Sequence, residues 1–534
     1  ATSGPDPGPG RPRLSTDRRP AARRRSMTTV VRTARLPAAE AVDVLRPRRG
    51  LVEETPQEPG RFTAAGGPVT GYLREVDVQL EPDGTRVVHQ RVHYRLAVPV
   101  IGWLVGLPVR RALGRVAGGS VTPWWGPPDV LDVPAWRALG ALLGIATALG
   151  YLGTLLTQTV TYSAKEFRVG TGAEGIALAA VRGDILLSLG LVALADRRGR
   201  RAVALGGAAA GCVLSVTGAV APSLAWLAAS QVVARGFVTA ATIASAVMLA
   251  EAMPKGARAW AAGVVAMAAA VGAGVCVVAL PVTGVSVRGW RLLYAASALW
   301  LVVVVSAGRH LAESDRFIRY HRTRDGSAPA PIDRSRLALL AAANLLLMMF
   351  VTPASEFLNE YLRRERHFSA SRIALFVLVT VGPGAIGIVV GGRLADTRGR
   401  RQVGVVAVAG VALFDVIGYS VGGWPMWAAA AVGTITGAAV TPLLSVYGAE
   451  LFATGRRGAA NGILTAAGRA GAVVGLLVVG GLSQWLGRFG PAFAVVAIGP
   501  VVLVVLLVGW FPETARRSLE ELNPADSGLA GPAP

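Results

Sequence analysis

The chain has 534 residues, of which 52% are hydrophobic and 16% charged, with a mean hydropathy of +0.49. Charge falls well below the roughly one quarter usual in soluble domains, and 66 glycines suit closely packed apolar helices, so a soluble enzyme is excluded. The formal net charge of +22 does not mark nucleic acid as a partner: Lys165 and Lys255 are the only lysines, and the arginines gather in an N-terminal tail and in short breaks between apolar stretches. Cys212 and Cys276 both sit inside apolar runs without metal-ligand or CxxC spacing, so neither a disulfide framework nor a metal or other cofactor is expected.

In chain order, residues 1–60 are rich in Arg, Pro, Gly and Ala and read as a disordered basic tail, with too little apolar surface to offset ordering entropy. No short apolar stretch with a cleavage site follows the run Arg23 to Arg25, so a signal peptide is not expected, and Met27 is a candidate first residue. Residues 61–136 read as a cytoplasmic accessory or interfacial segment. Val76, Val78 and Leu80 alternate with polar residues, Pro82-Asp83-Gly84 supplies a turn, and the extended pattern resumes from Val87 to Leu96, which predicts a β-hairpin. Ile101 to Val116 suits either the bilayer surface or the core of a small packed domain, and Trp124-Trp125 stand where an aromatic anchor would lie.

Twelve apolar runs of spanning length follow, at about 138–164, 172–195, 202–220, 223–250, 259–283, 289–308, 335–358, 371–394, 402–420, 425–449, 458–485 and 490–511. The arginines concentrate in alternate connections, which places those connections in the cytoplasm and, with an even number of crossings, both termini with them. The predicted fold is an all-α integral membrane protein: twelve transmembrane helices in two pseudo-symmetric six-helix bundles, 137–308 and 335–511, plus a small N-terminal extension containing the β-hairpin. A central cytoplasmic loop, 309–334, joins the bundles, and residues 512–534 form a cytoplasmic tail.

The pseudo-symmetry rests on an internal repeat at a shift of about 200 residues. VALADRRGRR at 192–201 aligns with GRLADTRGRR at 392–401, matching Asp196, Arg200 and Arg201 with Asp396, Arg400 and Arg401. Downstream, Glu251, Arg258, Gly263 and Gly272 align with Glu450, Arg457, Gly462 and Gly471. Oppositely charged groups at matching cytoplasmic helix ends can pair, and carboxylates can cap helix N-termini, only while the bundles lie close. These ten charged residues are therefore the candidate gating latch, the alternative being solvated loop charges.

On these motifs the chain resembles the major facilitator superfamily over about residues 137–520. Gly392 to Arg401 carries the superfamily's loop motif intact, whereas the first copy has Val192 where the motif expects Gly, a departure that implies either a looser helix contact or a smaller neighbour. Ala312 to Phe317, the segment Tyr447, Glu450, Leu451, Phe452 and Arg457, and the tail Pro512-Glu513-Thr514 with Arg517 to Glu521 are similar to the sugar-porter and metabolite–proton symporter branch. The seventh run lacks that branch's paired sugar-binding glutamines, so a hexose is not implied.

Charges deep in apolar runs mark a pathway or a paired structural site. Asp184 lies roughly 18 Å from Asp196 along a helix, and Arg469 a similar distance from Arg457. The resemblance places the first, fourth, seventh and tenth helices around the cavity, which makes Arg235 and Glu356 candidates for the substrate or proton site, followed by Arg182, Asp184 and Arg469. Gln158, in the polar stretch of the first run, is a candidate hydrogen-bond donor to solute, while Asp415 in the ninth run reads as structural. Asp184 or Glu356 could carry a coupling proton; pairing of Asp184 with Arg235 is the structural alternative. The arginines favour an anionic solute. Together these readings predict no enzyme but a secondary active transporter in the plasma membrane, working by alternating access as a proton-coupled symporter of an organic acid or related metabolite. A drug or metabolite efflux antiporter and a transporter-like sensor are the alternatives.

Overall fold

The alternation of apolar and polar residues between Val69 and Leu96 builds the centre of a small sheet domain ahead of the membrane helices. The structure is a computed structural model and describes residues 27–526 apart from 83–84, 101, 170–176, 178–179, 182, 324–330 and 525. The domain comprises β1 (Thr28–Leu36), α1 (Ala38–Val44), β2 (Arg49–Gly50), β3 (Glu53–Glu58), β4 (Arg61–Gly66), β5 (Val69–Leu80), β6 (Arg86–Leu96), α2 (Gly102–Leu113) and β7 (Ser120–Val121). Five strands form an antiparallel sheet in the order β1-β6-β5-β4-β3, with Val30 opposite Val92 and Val78 opposite Val88, while β2 and β7 pair in parallel. The expected hairpin is thus β5–β6; Asp83 and Gly84 of its predicted turn lie outside the described residues.

The reading of residues 1–60 as a disordered tail is corrected from Thr28 onward. Val30, Ala41, Val44, Leu51 and Val52 are buried, and several charged groups serve the interior. Arg74 and Glu54, both fully buried, pair at 2.6 Å, and Arg48 donates to Gln90 and to the Leu113 carbonyl. Composition hid the domain because these charges neutralise one another inside it. The helix α2 turns Val109 and Leu113 into the same core, which decides between the two readings of residues 101–116 in favour of packing. That core runs through Val98 and Leu131 into the first membrane helix, so the extension is seated on the bundle.

The membrane helices begin where Asp132 caps Ala135 N–H. The first bundle holds α3 (Val133–Phe167), α4 (Asp184–Arg198), α5 (Arg200–Val216), α6 (Leu224–Ala252), α7 (Arg258–Val278), and α8 (Trp290–Ala295) with α9 (Ser297–Gly308) as its sixth span. After α10 (Asp315–Thr323) come α11 (Arg334–Glu356), α12 (Leu358–Arg364), α13 (Ala370–Val381) with α14 (Gly384–Arg398), α15 (Arg400–Ser420), α16 (Gly423–Glu450), α17 (Arg457–Leu486), α18 (Phe489–Val496) with α19 (Ile498–Gly509), and α20 (Leu519–Leu522). Among the described residues 11 helices are long and apolar enough to span a membrane; the second expected span is described continuously only as the 15 residues of α4.

Packing repeats between the bundles. Helix α3 packs on α7 as α11 packs on α17; α5 packs on α6 as α15 packs on α16; and the bundles meet through α7 on α14 and α4 on α17. Small residues allow this proximity: a methyl group placed on Gly272 would lie 1.8 Å from the Thr147 carbonyl oxygen, and one on Gly471 would lie 2.1 Å from that of Leu345.

Candidate functional site

The repeated charged motifs converge at one end of the bundle interface. Asp196, near the end of α4, accepts the N–H groups of Gly458 and Ala459 at 3.2 and 3.0 Å, at the start of α17 in the other bundle. Asp396, near the end of α14, accepts those of Ala259 and Trp260 at 3.2 and 2.9 Å, at the start of α7. Each carboxylate therefore caps a helix N-terminus of the opposite bundle, where the helix dipole and free N–H groups favour negative charge.

Four buried arginines surround the caps. Glu251 receives Arg200 from its own bundle and Arg457 from the other. Glu450 receives Arg400 from its own bundle and Arg258 from the other, the latter at 2.9 Å. Arg400 also holds Asp396 at 3.2 Å. Arg201 and Arg401 stand at the edge, their side chains donating to the carbonyls of Leu311 and Val508. The ten residues assembled from the repeat are thus brought to one face, and the eight inner ones form crossed contacts rather than separate surface pairs.

The departure at Val192 has a specific compensation. Gly392 faces Ala259 and Trp260, where a methyl group would come within 2.6 Å of the Ala259 carbonyl oxygen. In the first copy Val192 is fully buried, and across the interface its Cγ1 lies 4.0 Å from where a methyl group on Gly462 of α17 would stand, so the neighbour there is small.

Sequence reasoning missed several members of this cluster. Glu513 accepts the N–H groups of Arg400 and Arg401, and Glu313 accepts that of Arg201. The signal was present: Glu313-Ser314 and Glu513-Thr514 also lie 200 residues apart, and Ser314 and Thr514 hydrogen-bond Glu251 and Arg400. Asp526 adds a carboxylate to Arg457 at 2.9 Å, and Arg316 meets Glu520 at 2.7 Å. Gly199 and Gly399, at φ +111° and +107°, make the turns that bring these groups together. A methyl group on Gly399 would lie 2.8 Å from Glu513 Oε2, so Gly399→Ala is expected to cost about 1–3 kcal/mol through backbone strain alone, read as a lower thermal midpoint of the purified protein.

Burial alone would push the Glu513 carboxyl up, but the N–H groups of Ala515, Arg400 and Arg401 and the Arg400 charge outweigh it and hold it below its ordinary value of 4.5. A lowered value means that its contribution to stability is complete above 4.5 and is lost as pH falls through the folded value. Thermal unfolding between pH 6 and pH 3 is expected to show this loss, and Glu513→Gln to remove that component.

The accessory domain reaches the same face. Its linker lies between the bundles' contacts: Trp260 Nε1 donates to the Trp125 carbonyl at 3.1 Å, and Arg393 of α14 donates to the carbonyls of Pro123 and Gly126 at 3.1 and 2.6 Å.

Deeper in the bundle, Asp184 pairs with Arg469 of the other bundle, and Thr239 of α6 donates to Asp184 at 3.0 Å while accepting from Arg469 at 3.1 Å. The expected alternative partner, Arg235, donates instead to the Gly153 carbonyl at 2.9 Å, because it faces α3 rather than α4. Glu356 closes α11 and is exposed, so it is no buried carboxylate. Gln158 is half-buried on α3, and Arg182 lies outside the described residues. Between this pair and the latch, Thr242, Ser245, Thr441 and Ser445 contribute hydroxyls to an otherwise largely apolar compartment of about 260 Å³ formed by α3, α6, α7 and α16. The reading of Asp415 as structural is also corrected: it has no hydrogen bond or ion pair among the described residues and lines a cavity within the second bundle.

Residues 337–529 match the sequence model of the Major Facilitator Superfamily. The fold is similar to that of the proton:xylose symporter XylE, at 15% identity and TM-score 0.63, covering 73% of this chain and 98% of that one. It is similar also to the human organic anion transporter MFSD10, at 17% identity and TM-score 0.55 over 70% and 99% of the two chains, and to the E. coli fucose:proton symporter FucP, at 14% and 0.56 over 70% and 98%. A search of curated protein sequences returns no match. The second bundle thus matches the superfamily's sequence model, and the chain as a whole is a multi-pass membrane protein with the major facilitator fold.

Proposed function

We propose that the chain moves a small solute across the plasma membrane by alternating access, with both termini cytoplasmic and the ten latch residues holding the cytoplasmic side shut. The carrying observation is the mirrored capping: Asp196 and Asp396 each bind the other bundle's helix N-terminus, an arrangement that breaks only if the bundles rock apart. Water then replaces these contacts. On this reading the arginine-rich latch face is the cytoplasmic one, and the mirrored contacts support a state closed on that side.

Proton coupling is assigned to Asp184. Its protonation would release Arg469 and weaken a contact between bundles at mid-depth, linking the proton to the rocking motion. Glu356, being exposed, is the weaker candidate. The anionic-solute expectation loses much of its support because Asp184 neutralises Arg469. Similarity to a sugar–proton symporter and to an organic anion transporter supports solute transport without choosing a solute. The test is flux into proteoliposomes, with and without a pH gradient, across organic acids, sugars and lipophilic cations. Saturable flux is expected; absence of flux for every class overturns the reading.

The linker contacts to Trp260 and Arg393 favour a second reading, a sensor whose accessory domain reads the latch. Flux by a chain lacking residues 1–130 argues against it.

A further inference from the structure

A carboxylate among membrane helices without a counter-charge is costly, and such a group by default marks a functional site. Asp415 on α15 is half-buried and has no hydrogen bond or ion pair among the described residues. Among the described residues it is the only charged one lining a cavity of about 470 Å³ inside the second bundle, bordered by α11, α12, α13, α15 and α16. Its space is provided by a glycine: a methyl group on Gly433 of α16 would lie 2.4 Å from Asp415 Oδ1.

Several of the cavity's hydroxyl groups are already committed as donors. Tyr361 donates to the Gly418 carbonyl at 3.0 Å, Tyr419 to that of Ala354, and Thr380 and Thr434 to carbonyls of their own helices at 2.8 and 2.9 Å. None of them neutralises Asp415. What remains facing the cavity is a carboxylate, hydroxyl lone pairs, the Asn359 amide, the Thr441 hydroxyl and the aromatic surfaces of Tyr361, Tyr419 and Phe376. A negative charge beside π-faces and lone pairs suits a positive group on an apolar body and disfavours an anion, while the neutral amide and hydroxyl carry no charge that would reverse that preference. Thr441 lines both this cavity and the central compartment between the bundles, so the two are neighbours.

We propose that this cavity binds an organic cation, an amine or quaternary ammonium group on a small apolar frame, with Asp415 as its counter-ion. That the cation is cargo rests on the transport reading above; that it binds does not. A proton competes for the same carboxylate, so binding weakens as pH falls. The titratable groups facing Asp415 are Tyr419 on its own helix and Tyr361 on α12; α11, α13 and α16 present none to the cavity among the described residues.

The test is binding of tritiated benzyltrimethylammonium, a permanent cation, to the full-length protein in detergent. Saturable binding is expected, displaced by unlabelled cation at least tenfold better than by neopentylbenzene, its uncharged carbon isostere. Asp415→Asn is expected to weaken it at least tenfold. So is Gly433→Ala, which keeps the acid and fills the space beside it. Asp77→Asn, on the exposed accessory sheet, is expected to leave it unchanged. No saturable binding, equal preference for the isostere, or unaltered affinity in both cavity variants overturns the proposal. Because binding needs no flux, failure of transport with intact binding would strike the transport reading alone.

Discussion

Replacing Glu450 with Gln is expected to cut solute flux at least tenfold and to expose a thiol introduced at the bundle interface by Leu189→Cys to thiol reagents, and Glu251→Gln is expected to do the same. Each glutamate is the shared partner of two buried arginines, one from each bundle: Arg258 and Arg400 for Glu450, Arg200 and Arg457 for Glu251. Removing one partner of a buried ion pair leaves its mate uncompensated, at about 3–5 kcal/mol. Here two cations would be left together, and the structure relieves that by separating the bundles so that water reaches the guanidinium groups. About 3 kcal/mol corresponds to more than a hundredfold shift between the closed and open populations. The mirrored pair makes the prediction specific, since solvated loop charges would give neither variant more than about 1 kcal/mol of effect.

Asp184→Asn is expected to abolish dependence of flux on a pH gradient while leaving downhill exchange measurable. The Asn amide can still bond Thr239, so the local fold keeps a partner, but Arg469 loses its counter-charge permanently. The contact between α4 and α17 then stays in its loosened form at every pH. Flux against pH, measured in proteoliposomes, is expected to flatten. An unchanged pH profile would remove Asp184 from the coupling step.

Depth and repetition were legible in the sequence; rotation about the helix axis was not. The matched motifs at 192–201 and 392–401 located the latch, and the spacing from Asp196 located Asp184 at mid-depth. Spacing along one helix does not say which neighbour a side chain faces, and so Asp184 was weighed against Arg235 while its partner proved to be Arg469. The same limit hid Asp415, which read as structural and whose carboxylate lies against Gly433. Residues 28–60 were misread for a different reason: Arg48, Glu54 and Arg74 look like solvated charge until their partners are known. The repeat itself extended further than the motifs suggested. Glu166 bonds Trp290 Nε1 at the start of α8, and Glu365, 199 positions later, bonds Phe489 N–H at the start of α18, although the residues flanking the two glutamates do not match as the latch motifs do.

Whether the bundles must part at this interface is tested most directly by locking them. Leu189 and Gly462 meet across it, a methyl group on Gly462 lying 2.8 Å from Leu189 Cδ2, and the native Cys212 and Cys276 are buried, so Leu189→Cys with Gly462→Cys supplies the reactive thiol pair. Flux in proteoliposomes is expected to stop on oxidation and to return on reduction. Full flux through the oxidised, cross-linked protein would contradict alternating access about this latch.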